Sequence, residues 1–85
     1  MNATDQTNGT ITLSELPPGV EAEVVGIAED APDRTRLLDL GFVPGTVVSR
    51  LMDSPLGDPI AHQVRGTVIA LRSEQTARIE VRRCS

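Results

Sequence analysis

His62 and Cys84 are the only imidazole and the only thiol in this chain of 85 residues. Asp53 and Asp58 are the acidic groups nearest to His62 along the sequence. A divalent metal centre needs several imidazole, thiolate or carboxylate donors meeting at one point. These four residues have none of the HxH, ExxH or CxxC spacings that bring donors together. Asp58 and His62 are therefore weak metal candidates without a third partner. Nucleophilic catalysis needs a serine or cysteine held against a base, with a third group orienting that base. No such triad is legible, and no glycine-rich phosphate cradle appears. Gly57 and Gly66 read as turn glycines, and Cys84 as a terminal thiol with nothing nearby to lower its pKa. The chain is not expected to be an enzyme.

Small barrels often bind nucleic acid, so charge bears on the function. The formal net charge is −4, with lysine absent and Phe42 the sole aromatic residue. Phosphate binding wants clustered cations, and single-strand binding adds aromatic stacking platforms. The eight arginines are spread along the chain, and only Arg82 and Arg83 are adjacent. Nucleic acid is not expected as a partner. Neither a signal-peptide pattern nor an apolar run of membrane-spanning length occurs, so the expected location is the cytoplasm.

The elements that must position any site follow from apolar spacing and turn residues. Residues 1–10 are polar and read as a disordered tail. A single domain is expected over 11–82, with 83–85 as its C-terminal end. Ile11–Leu13 reads as a first strand. Val20–Ala28 reads as a second, with Val20, Ala22 and Val24 alternating against Glu21 and Glu23. A short helix is expected from Asp30–Asp33 to Leu40, capped by Asp30 or Asp33, with Pro32 in or just before its first turn. Leu37 faces inward on the helical wheel, flanked by Leu38 and Leu40.

Gly41 then closes the helix in the left-handed conformation, and Pro44-Gly45 makes a tight turn. Thr46–Met52 reads as the third strand, followed by a loop punctuated by Pro55, Gly57 and Pro59. Ile60–Val64 and Thr67–Leu71 form a pair around a bend at Gly66. Ser73–Thr76 reads as a short turn, and Ala77–Val81 as the closing strand, with Ala77, Ile79 and Val81 inward. The fold expected is mostly β: a small barrel of five to six short strands with one short α-helix.

The segments LLDLGFVPGT, SPLGDPIA and VRGTVIALR resemble the FeoA family, with similarity running from about Ile11 to Val81. The resemblance implies an SH3-like barrel and a role as partner of the bacterial ferrous-iron transporter FeoB. It also implies a cytosolic accessory protein that docks on the cytosolic part of FeoB, reaching the membrane only through the transporter. Fe²⁺ enters by association with that system, and no tightly bound cofactor is expected. Two alternatives stay open: direct binding of a transition metal, or a regulatory module like the barrel appended to iron-dependent repressors. Self-association also stays open.

For docking, the helix and its flank offer Arg34, Arg36, Leu38 and Phe42, and the loop after the third strand offers Met52 and Leu56. An arginine finger aimed at the G domain of FeoB is not adopted for Arg34 or Arg36, since the sequence gives them no rigid loop. His62 departs from the family pattern, which expects an aromatic or aliphatic residue there. Its phase with Ile60 and Val64 makes it a hydrogen-bonded histidine of the barrel wall.

Overall fold

Period-2 alternation and turn chemistry produce a sheet whose strands are mostly local neighbours, with one exception that closes the core. The computed structural model describes residues 9–51 and 57–84. Strand β1 (Ile11–Thr12) runs into a 3₁₀ turn, Leu13–Glu15. Then come β2 (Glu21–Ile27), helix α1 (Arg34–Leu40), β3 (Val47–Arg50), β4 (Ile60–Val64) and β5 (Thr67–Leu71). The four-residue helix α2 (Ser73–Thr76) and β6 (Ile79–Arg83) complete the order. The six strands form one sheet in the order β1-β6-β2-β3-β4-β5, with every neighbouring pair antiparallel. The last strand inserts between the first two, which ties the chain's ends into one wall.

Alternation decides which side chains are buried. Ala22 and Val24 on β2, Val48 on β3, Val64 on β4, and Ile79 and Val81 on β6 are all at most 2% exposed. Leu13, Leu16, Leu37 and Phe42 complete the same core, each 0% exposed. Full burial of side chains of this size contributes about 1.5–3 kcal/mol each. Beyond Val24 the β2–β6 register slips by one residue between Val24 and Gly26, a bulge that bends the strand. Glu23 and Arg82 sit opposite each other on this wall, 3.7 Å apart and both about half exposed, so the pair adds little.

Helix α1 starts at the late end of the predicted window, with Asp33 at its N-cap position and φ 56°. Neither candidate caps it as expected. The Asp33 side chain makes no capping hydrogen bond, and Asp30 sits 3.8 Å from Arg78. The helix ends as predicted. Gly41 has φ 117°, its N–H donates to the Leu38 carbonyl, and the Phe42 N–H reaches back to the Leu37 carbonyl. This pair of bonds is the Schellman closure, whose next residue is normally apolar and packs against the last turn.

Pro44-Gly45 also turns as predicted. Thr46 N–H donates to the Val43 carbonyl at 3.1 Å and Gly45 carries φ 94°. Gly45 N–H donates to the Val24 carbonyl at 2.9 Å, so the turn is stitched to β2. The β4–β5 link is a two-residue hairpin turn, Arg65-Gly66, both residues having positive φ. Gly57 also has positive φ, and the Asp58–Pro59 peptide is cis. Two expectations at the strand ends fail. Leu13 belongs to the 3₁₀ turn rather than to β1, and Ala77 is exposed because it terminates α2 instead of opening β6.

Candidate functional site

The predicted docking residues fall into three different environments. Phe42, nominated for contact, is fully buried, because the helix closure at Gly41 swings the next side chain under α1. Phe42 is a core residue. Leu38 is partly buried and packs on the same core. Arg34 is half-buried, with its Nε donating to the Ile27 carbonyl at 3.4 Å, so it fastens α1 to the end of β2. Arg36 is exposed, as is Leu40 at 36%. Met52 and Leu56 lie outside the described residues.

Arg36 and Leu40 border a groove of about 440 Å³ between α1 and the free edge of β5. Leu40, Pro59, Ile69 and Leu71 supply apolar parts of its lining. Its rim carries Asp33, Arg36, Arg72 and Glu74, two acids and two arginines. The groove is open and shallow, which suits a protein surface better than a small-molecule substrate.

His62 is 1% exposed and faces inward from β4, in phase with Val64 as its spacing predicts. Its Nδ1 lies 2.9 Å from the Ile60 carbonyl oxygen. A carbonyl only accepts, so the ring carries its proton on Nδ1 when neutral. Burial pushes the His62 pKa below its ordinary value, the carbonyl bond opposes this, and the Arg50 guanidinium adds a smaller downward push. Beyond the ring lies a space of about 200 Å³ bordered by Leu13, Arg50, Gly57 and Thr76.

Arg50, which the sequence reading did not single out, bridges three segments. Its Nη1 donates to the carbonyls of Leu16 at 3.1 Å and Ser14 at 3.4 Å, while its own carbonyl accepts from Gly19 N–H at 2.7 Å. The available signal was its phase with Val48, which aims an arginine inward from a strand end.

The two weak metal candidates both contact the backbone. Asp58 Oδ1 accepts from Ser73 N–H at 2.8 Å, at the start of α2. His62 Nδ1 is held by a backbone oxygen. No group of three His, Cys, Asp or Glu side chains converges among the described residues. No helix there is long and apolar enough to cross a membrane.

Comparison with known proteins agrees with this architecture. The FeoA domain model matches residues 11–83. The FeoA/FeoB fusion protein of Porphyromonas gingivalis is 36% identical over 69 residues, which cover 81% of this chain but 8% of that protein. The solution structure of FeoA from Chlorobium tepidum superposes with a TM-score of 0.80 at 37% identity, covering 88% of this chain and 71% of that one. A zinc-complexed crystal structure of Stenotrophomonas maltophilia FeoA, described as an SH3-domain protein, gives 0.73 at 36% identity, covering 84% and 88%. A manganese-dependent transcriptional repressor shares the fold alone, at 17% identity with a TM-score of 0.77 over 91% of this chain and 43% of that one. With the match spanning almost the whole barrel, the chain belongs to the FeoA family of ferrous-iron transport proteins, built on an SH3-like fold.

Proposed function

We propose that this chain is a cytoplasmic accessory protein of ferrous-iron uptake that docks on the cytosolic part of a FeoB-type transporter and biases its conformational state. The observation that carries the reading is covalent linkage in a relative: in the Porphyromonas gingivalis protein a matching domain and FeoB are parts of one polypeptide. Fusion keeps two folded parts at high effective concentration, which is useful when they must meet.

The surface of this chain favours docking, without chemistry of its own. Among the described residues no nucleophile–base pair is assembled, and the grooves are open. The α1 face offers Arg36 and Leu40 at the surface beside residues of mixed charge, and arginine is enriched among interface hot spots. Fe²⁺ is cargo of the partner in this reading, and the chain holds none tightly.

The test is a pull-down of the purified chain against the isolated G-domain region and the full-length FeoB of the same organism, with and without a GTP analogue. Retention that falls at least tenfold in Arg36→Glu is the expected result. No retention under any nucleotide condition overturns the reading.

A further inference from the structure

Two polar side chains are buried among the described residues, His62 at 1% exposed and Thr76 at 4%. Their hydrogen bonds are settled unequally. Thr76 Oγ1 donates to the Ser73 carbonyl at 3.2 Å, which commits its proton. His62 donates from Nδ1 to the Ile60 carbonyl, and no other hydrogen bond reaches the ring among the described residues. The neutral ring therefore keeps a bare lone pair on Nε2. Buried acceptors are nearly always paired, so a bare one is where a ligand's donor belongs.

The ring borders a space of about 200 Å³ lined from the 3₁₀ turn, β3, β4, β5 and α2. With Nδ1 turned back onto the backbone of its own strand, Nε2 at the far end of the ring is the polar atom that His62 presents to that space. Leu13, Ile60 and Leu71 give the space apolar walls. A cavity of about 150 Å³ already accepts a benzene ring. Charged ligands are disfavoured. Their hydration would be lost against apolar walls, and the Arg50 guanidinium already opposes positive charge at this ring. A carboxylate brings no proton for Nε2. What remains is a neutral donor on an apolar body the size of an aromatic ring. A phenol is a stronger acid than an alcohol, so it shares its proton more readily with an imidazole nitrogen.

We propose that this space is a binding pocket for a phenolic hydroxyl, with the O–H donating to His62 Nε2 and the ring lying against Leu13, Ile60 and Leu71. A small phenol and a tyrosine side chain of a docked partner bring the same chemistry to His62. A mostly apolar pocket with one placed polar group is the common plan of small-ligand sites, and tyrosine is enriched among interface anchors. The pocket does not rest on transporter docking at the α1 face, and Arg36 does not border it.

The test is NMR of the full, nitrogen-labelled chain. Long-range proton–nitrogen spectra should first show Nδ1 protonated and Nε2 bare; the opposite tautomer overturns the proposal. Phenol is then titrated to millimolar concentration, beside toluene, which has the same size and no donor. Phenol should shift the Nε2 signal saturably and bind tighter than toluene by about fivefold or more, the scale of one ordinary hydrogen bond. That comparison is made on the native chain and needs no variant. His62→Phe should abolish the preference, and Val47→Lys, at an exposed valine outside the pocket, should preserve it. N-acetyltyrosinamide separates the sources. Binding with the same Nε2 shift assigns the pocket to a partner's tyrosine, and binding of phenol alone assigns it to a free small molecule. Equal affinity for phenol and toluene, or no saturable shift at His62 with any probe, overturns the proposal.

Discussion

Arg50 on β3 and His62 on β4 are register partners across the barrel wall, and each contacts backbone carbonyls. The cation is held by the carbonyls of Ser14 and Leu16, and the imidazole by that of Ile60. A second positive charge on His62 would therefore enter a buried position beside an existing one. This arrangement governs how the fold responds to acid.

Stability should fall as pH drops through the ordinary histidine range. His62 is lowered in the folded state, mainly by burial. The unfolded chain thus binds a proton near pH 6.5, where the folded chain still resists it. The contribution is complete above the unfolded pKa and is lost progressively as pH falls from there towards the folded pKa. Denaturant melts between pH 7.5 and 5.5 should show this slope in the native chain. His62→Phe, which fits the apolar expectation for this position, should flatten it.

Removing the neighbouring cation should move the same titration upward. The Arg50 guanidinium is one of the causes lowering His62, so Arg50→Met raises the His62 pKa, read by NMR of the ring protons. The variant also strands the carbonyls of Ser14 and Leu16. The Ser14 bond is exposed and the Leu16 bond part-buried, so the thermal midpoint should fall by about the 0.5–1.5 kcal/mol of an ordinary hydrogen bond. An unchanged His62 titration would show that the two groups are screened from one another.

Two glycines with the same backbone preference should differ in how badly they tolerate alanine. At Gly41 a methyl group would sit 3.1 Å from Arg65 Cδ and 3.3 Å from Val64 Cγ1, in addition to the strain of φ 117°. At Gly45 the strain of φ 94° acts alone, since no atom lies within 4 Å. Holding a non-glycine residue in such a region costs about 1–3 kcal/mol. Gly41→Ala should therefore be the more destabilising of the two by thermal melting, with both below the native chain.

These glycines were legible in the sequence because turn chemistry is local: Gly41 and Pro44-Gly45 each announce one conformation. His62 was legible by phase, since alternation with Ile60 and Val64 assigns its face without any contact being known. The left-handed backbone of Asp33 at the N-cap, without a side-chain capping hydrogen bond, was not. Arg50 was overlooked because its partners, the carbonyls of Ser14 and Leu16, lie more than 30 residues earlier in the chain. The free edge of β5 depends on sheet order, which is set by β6 inserting between β1 and β2 and by no local pattern.

Phe42 gives the clearest separation of core from surface. It follows the glycine that closes α1, and its N–H completes the closure on the Leu37 carbonyl. Its ring and Leu37 are both fully buried in one cluster. Phe42→Ala should cost about 3–5 kcal/mol, enough to unfold a large share of a domain this small. Phe42→Leu keeps most of the volume and should leave the chain folded with a lowered midpoint. If Phe42 acts only through packing, the leucine variant retains native affinity for FeoB at temperatures where it is folded. Loss of FeoB binding by a folded Phe42→Leu chain would instead return this residue to the docking surface.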